Sequence, residues 1–376
     1  VLLDDLRKDP LAYSPGVYVH IPFCAAVCSY CAFSVEVFRN GSSSAYIEAL
    51  TQELRSRLSE IDSNVKSLYI GGGTPSILEP SELYKVVEVL HGTQLVEFTL
   101  EANPESITKA KLKSYKEMGV SRISLGVQSF DDKVLKFFGR SHSVLQAIEA
   151  IDAVAEFGLE LSLDIIYGSG AEDEGSFDLT VSALREVADR LDHVSCYALT
   201  LEPRTRLHHR YRHTLVKDQV VKEEDVLASR YYRLEEELLE LGFYNYEISN
   251  WAKADKECRH NMNYWMRGEY LGVGSSAHSF IGSVRAANEF SPKRYVETIH
   301  NVGSAITSME HLSSEQERIE KILLGIRCSV GVERSIAGEI PSSLEALVEE
   351  TDGFFTLTRD GRMLADMVAL KLISNK

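Results

Sequence analysis

The stretch GVYVHIPFCAAVCSYCAF (16–33) decides the fold. Gly16 to Ile21 is rich in β-branched and aromatic residues, so it reads as a strand. Pro22, which cannot donate to a ladder, ends it. Three cysteines follow at once, Cys24, Cys28 and Cys31, in the spacing C-x3-C-x2-C. Outward from this stretch one unit repeats: a short apolar run, a polar or glycine-rich end, then an amphipathic helix. The further strands are SLYIGGG (67–73), VEFTLEA (96–102), RISLGVQ (122–128), LELSLDIIYG (159–168) and HVSCYALT (193–200). Helical spacing lies between them over 45–58, 80–91, 108–118, 131–138, 143–157 and 174–190.

Such alternation specifies a parallel sheet covered by helices, either an incomplete barrel or an open doubly wound sheet. In a barrel, functional groups gather at the carboxyl ends of many strands; in an open sheet they gather at one switch point. Here candidates follow nearly every strand: the cysteines, the glycines, Glu101, Gln128, Asp164 and Ala198. The reading is therefore an α/β chain with an incomplete (β/α)6 TIM-type barrel. Residues 1–15 form a lead and 16–220 the partial barrel. Residues 221–304 form an extension, with a long amphipathic helix over 221–241 and mixed runs at 244–252 and 268–282. Residues 305–376 form a small C-terminal α+β domain, with a winged helix as one candidate form. Its hairpin turn is expected at Asp360-Gly361.

The chain has 376 residues and a net charge of −16. Nucleic-acid binders draw affinity from phosphate neutralisation, so this charge excludes that class. The one basic run, RTRLHHRYRH (204–213), reads as a solvated loop, and His208, His209 and His213 lack metal spacing. No run approaches ~18 apolar residues, so no transmembrane helix is expected. VLLDDLRKDPLAY (1–13) carries acids and a proline where a signal peptide has a basic start and an apolar run. The expected compartment is the cytoplasm or an organelle matrix, with the cytoplasm favoured.

Six cysteines are present, three of them within eight residues. Thiolates are soft ligands suited to zinc or iron–sulfur clusters. Structural zinc is four-coordinate, and a fourth ligand would have to be His20 or a distant cysteine. Three thiols are one short for a cubane of four irons, which leaves one iron open to a small ligand. On spacing alone, a zinc loop and ordinary buried cysteines remain alternatives.

The C-x3-C-x2-C spacing resembles the signature of the radical S-adenosylmethionine (SAM) superfamily. The resemblance implies a [4Fe–4S] cluster on Cys24, Cys28 and Cys31 in a barrel of the radical SAM kind. It implies SAM on the open iron, and an electron donor such as a flavodoxin or ferredoxin. Reduction then splits the sulfonium to methionine and a 5′-deoxyadenosyl radical. HIPFC, GGGTPS, ANPES, SLGVQSFDD, GRSHS, LTLEPRT, HNMNYW and YLGVGSSAHS are similar to the oxygen-independent coproporphyrinogen oxidase branch, and within it to HemW-like haem chaperones. This likeness runs over residues 16–290.

By that resemblance Gly72, Gly73 and Thr74 face the methionine amino group of SAM. Tyr18, Tyr30, Glu101, Gln128, Arg140, Asp164 and Ala198 hold the rest of it. His260, in HNMNYW, is the haem-ligand candidate, with Cys258 and His278 as rivals. The implied function is a chaperone that binds haem and delivers it to an acceptor protein. The alternative is oxidative decarboxylation of coproporphyrinogen III. Ala32-Phe33 follows Cys31 where the oxidase has a further cysteine, and few residues precede the first strand; both depart from the oxidase pattern. Ala32 also replaces the usual aspartate. Ser169-Gly170 and Ser275-Ser276 replace the usual Leu-Pro and Pro-Gly, and are expected to reshape the substrate side.

Overall fold

The structure, a computed structural model, describes residues 6–9, 12–39, 41, 43–61, 64–211 and 222–374. Six parallel strands form its centre: β1 (Gly16–Ile21), β2 (Ser67–Gly72), β3 (Glu97–Ala102), β4 (Arg122–Gln128), β5 (Glu160–Tyr167) and β6 (His193–Ala198). They alternate with α1 (Ser43–Arg57), α2 (Pro80–Val87), α3 (Lys109–Met118), α4 (Asp132–Phe138), α5 (Val144–Glu156) and α6 (Glu174–Val187). The signals that bound the helices are local. Thr108 and Ser143 cap α3 and α5 by accepting backbone N–H bonds, and Gly119 ends α3 at φ 96°.

The strands alternate along most of their length, with a break at Ile165-Ile166-Tyr167 in β5, and this alternation makes the barrel. Val17 and Val19, Leu68 and Ile70, Phe98 and Leu100, Leu161 and Leu163 all face the helices and are buried. Burying each stabilises the fold by about 1.5–3 kcal/mol. The opposite face is polar: in register, Tyr18 pairs with Tyr69, Tyr69 with Thr99, Glu101 with Ser124, Ser124 with Ser162, and Asp164 with Ser195. A closed barrel core is normally filled by branched apolar layers. Here the lumen is instead a polar cavity.

After β6 come a short helix, α7 (Arg206–Tyr211), and the long α8 (Glu224–Glu240). The boundary expected at 220/221, and His213, lie outside the described residues. The hairpin β7 (Tyr244–Glu247) and β8 (Asn250–Ala252) pairs antiparallel onto β6. Helix α9 (Arg259–Trp265) follows. On the other edge, β9 (Tyr270–Val273) pairs parallel with β1, making a seventh parallel strand beyond the six expected. β10 (His278–Ile281), β11 (Val284–Asn288) and β12 (Ile306–His311) continue the sheet antiparallel. The order is β12-β11-β10-β9-β1-β2-β3-β4-β5-β6-β8-β7. Among the described residues no ladder joins β7 to β12, so the barrel stays open.

Two expectations need correction. The small domain was placed from residue 305, but β12 belongs to the large sheet through pairing with β11. As an exposed edge strand it carries polar residues on both faces, and so lacks the apolar alternation that marks a strand. The small unit begins with a helix at Ser314 and has its own core around Ile322, Phe355 and Val368. Its hairpin joins Val348–Thr351 to Phe354–Leu357 and turns at Asp352-Gly353, both at positive φ. The second Asp-Gly, at 360–361, lies in a short helix capped by Thr358. No described helix is long and apolar enough to cross a membrane.

Candidate cofactor site

Strand β1 delivers the three cysteines to the carboxyl mouth of the barrel. The loop is closed at its base, where Phe23–Cys24 pairs with Glu36–Val37 in a two-residue parallel ladder. Its tip is pinned to α4: Ser29 N–H donates to the Phe138 carbonyl (2.9 Å), and the Tyr30 ring lies 5.0 Å from that of Phe138. Cys24, Cys28 and Cys31 are free thiols, partly exposed, and all line one cavity of about 650 Å³.

An arc of hydrogen bonds runs behind the cysteines. The Thr74 hydroxyl donates to Cys24 Sγ (3.6 Å), and Asn103 Nδ2 donates to Thr74 Oγ1 (3.0 Å). Arg140 donates through Nη2 to Asn103 Oδ1 (2.6 Å) and the Gly126 carbonyl (2.6 Å), and through Nη1 to Cys28 Sγ (3.4 Å). Among the described residues its buried Nε has no hydrogen-bond partner. The glycines at the end of β2 are needed for space. A Cβ on Gly73 would lie 2.9 Å from Cys24 Sγ, and one on Gly72, at φ 116°, would lie 2.6 Å from the His20 ring.

Gly72 N–H donates to Glu101 Oε2 (2.9 Å), and Tyr69 donates to Glu101 Oε1 (2.9 Å). Even so, burial pushes the Glu101 carboxyl up to about 7. Burial also lifts Asp164 to about 6, against the hydrogen bonds it accepts from Ser195 and Ser124. Gln128 sits at a bulge in β4 with φ 73°. A non-glycine residue there costs on the order of 1–3 kcal/mol, a strain typical of functional positions.

The three cysteines, the ten residues matched to SAM binding and His260 all line this one cavity. They do not share one end of it. His260 lies at the opposite, amino-terminal mouth, which α9 closes as a floor. Its Nδ1 is bonded to Ser67 Oγ (2.8 Å) and its Nε2 to Tyr264 Oη (2.8 Å), and it is 1% exposed. Burial holds the imidazole down to about 4, so it is neutral and fully engaged. Cys258 is buried beside it, whereas His278 is exposed on β10 and does not line the cavity. Ser169 and Ser275 are fully buried and are not among the residues lining the cavity.

Several lining residues escaped the sequence reading. Asn103 links both ends of the arc. Tyr69, Thr99, Ser124, Ser162, Ser195 and His193 form the inner wall. Their signal was a polar residue at every second position of otherwise apolar strands.

The donor set fits a cluster better than a single ion. Among the described residues no three His, Cys, Asp or Glu side chains converge on a point that one ion could fill. A cubane takes one thiolate on each of three separate irons, so its ligands must ring a volume. Three thiols on one loop around a shared cavity, braced by a cationic Arg140, meet that need.

The family model for the radical SAM superfamily matches residues 18–215. The chain belongs to the radical SAM superfamily. This radical SAM protein is 31% identical to the heme chaperone HemW of Bacillus subtilis (strain 168), over 94% of its own length and 97% of the relative's. It is 33% identical to the heme chaperone HemW of Mycobacterium tuberculosis (strain ATCC 25618 / H37Rv), over 95% and 94%. It is thus also a member of the HemW family. Its fold is that of coproporphyrinogen III oxidase (HemN) from Escherichia coli, with a TM-score of 0.79, 22% identity, and coverage of 99% and 94%. Membership of the superfamily implies a [4Fe–4S] cluster and SAM.

Proposed function

We propose that this protein is a haem chaperone, holding a [4Fe–4S] cluster on Cys24, Cys28 and Cys31 and SAM in the upper lumen. One observation carries the choice of haem delivery over porphyrinogen oxidation: relatives spanning at least 94% of the chain are named heme chaperones. Ala32-Phe33 after Cys31, without a fourth cysteine, supports the same choice. When bound, the cluster and SAM supply one-electron radical chemistry. The chain's own residues do the rest. Gly72 and Gly73 let the backbone approach the ligand, Arg140 offers an unused N–H to a carboxylate, and Tyr18, Tyr30 and Ala198 complete the wall. Glu101 and Asp164 supply negative charge for a sulfonium, and Gln128 supplies an amide. On this reading the protein acts in the cytoplasm, takes electrons from a low-potential donor and passes haem to an acceptor protein.

The test is anaerobic reconstitution followed by two assays. Stoichiometric haem uptake without protoporphyrinogen formation is the expected result; turnover of coproporphyrinogen III would overturn the reading. His260 has a narrower test. To ligate haem iron it must first give up Ser67 and Tyr264, which means opening the floor. His260→Ala is expected to keep haem uptake and lose stability. Loss of the haem absorption with iron content intact would make it the ligand.

SAM affinity should depend on pH. Glu101 and Asp164 gain their charge as pH rises through about 7 and about 6 respectively. A cation is therefore bound more weakly at low pH. The SAM dissociation constant is expected to fall by about five- to tenfold from pH 5.5 to 7.5. In Glu101→Gln most of that dependence should vanish. Titration calorimetry in two buffers checks it, and a flat wild-type profile counts against placing the sulfonium there.

A further inference from the structure

The basic run read from the sequence as a solvated loop does more than meet water. Residues 206–211 form α7, and this helix is fastened to the cysteine loop. Leu207 N–H donates to the Ser29 carbonyl (2.7 Å), and Arg206 Nη1 donates to the Val27 carbonyl (3.4 Å), one peptide from Cys28. Leu207 is 1% exposed and packs with Val134, Phe138, Ile166 and Leu199. The underside of α7 is thus fixed, and its charges point outward. Arg204, Arg206 and Arg210 are exposed, and none makes an ion pair among the described residues. Lys136 is exposed on α4, the helix that pins the other side of Ser29. Glu202 is the one acid within 202–210.

We propose that the outer face of α7, with Arg204, Arg206 and Arg210, is the docking surface for an acidic one-electron carrier that reduces the cluster. This rests on the cluster proposed above. The argument is charge complementarity at one place. The whole chain carries −16, so an acidic protein is repelled over most of the surface. The unpaired arginines break that field beside Cys28, where an electron must enter. The step itself is simple: the carrier's reduced flavin or iron–sulfur centre loses one electron and the oxidised cluster gains it. Charges at the rim of such small interfaces set the encounter rate more than the chemistry.

The double variant Arg204→Glu, Arg210→Glu changes two exposed side chains that make no hydrogen bond or ion pair among the described residues. The probe is a reduced, acidic FMN flavodoxin, mixed anaerobically with the reconstituted protein. The second-order rate of cluster reduction is expected to fall about tenfold or more at low salt. The difference should shrink to less than about threefold at high salt. The dissociation constant for the oxidised flavodoxin, read by flavin anisotropy, should rise by about tenfold. Dithionite, which needs no docking surface, should reduce both proteins equally. An unchanged flavodoxin rate overturns the proposal, as does equal slowing with dithionite, or binding of α7 to anionic vesicles with no effect on reduction. Failure of dithionite to bleach the wild type would instead sink the cluster reading, and this proposal with it.

Discussion

Cys28→Ala, purified and reconstituted without oxygen, is expected to hold almost no iron or acid-labile sulfide, whereas the wild type reaches about four of each. The reason lies in the number of anchors. A cubane on three thiolates has no spare ligand, and the other cysteines, Cys196, Cys258 and Cys328, are buried outside the loop. Loss of one thiol exposes a second iron to solvent, and the cluster then falls apart. Cys24→Ala and Cys31→Ala should behave alike. Cys328→Ala is the control, because Cys328 is buried and absent from the cavity lining. The cluster-free variants should stay folded, since Phe23–Cys24 and Ser29 hold the loop through backbone groups that the substitution leaves alone. A brown, iron-loaded Cys28→Ala protein would end the cluster reading and, with it, SAM binding as described.

Much of this architecture could be read from the sequence, because the decisive signals are local. Strands β1 to β6 announce themselves through buried branched residues at alternate positions, and α3 and α5 through their caps. Two of the candidate ligands could be read for the same reason: Glu101 and Gln128 stand at strand ends, where a barrel puts its chemistry, whereas Asp164 lies mid-strand on the polar face. What escaped depends on partners far along the chain. β12 is polar on both faces because it is an exposed edge, so periodicity gave no sign of it. Of two Asp-Gly pairs, the one that turns the hairpin is the one flanked by pairing strands, a fact that composition does not contain. The inner wall was visible as a period of two, yet each member alone, Thr99 or Ser162, reads as an ordinary strand residue. His260 is the plainest case. Its motif suggests a ligand, but its role in this structure is set by Ser67 and Glu97, which lie 193 and 163 residues away.

Glu97 makes that floor, and its removal should be the most damaging single change outside the cysteine loop. It stands at the start of β3, 3% exposed. Its carboxylate accepts the N–H groups of Arg259 (2.9 Å) and His260 (3.2 Å), and the Cys258 thiol (3.4 Å). Cys258, at the N-cap, makes no side-chain cap of its own, so a strand residue caps α9 from across the barrel. Glu97 also faces the buried guanidinium of Arg122 at 3.7 Å. Glu97→Ala leaves two orphan N–H donors and an under-compensated buried cation. Breaking a buried pair from one side costs about 3–5 kcal/mol. Glu97→Gln keeps an acceptor and loses only the charge, so it should cost about 1–3 kcal/mol. Urea unfolding of the cluster-free proteins would rank them: wild type, then Glu97→Gln, then Glu97→Ala. Iron loading at low temperature should survive in both, because the cysteine loop closes the other mouth. An alanine variant as stable as wild type would mean that α9 is held from elsewhere, and would free His260 to leave the floor and reach a ligand.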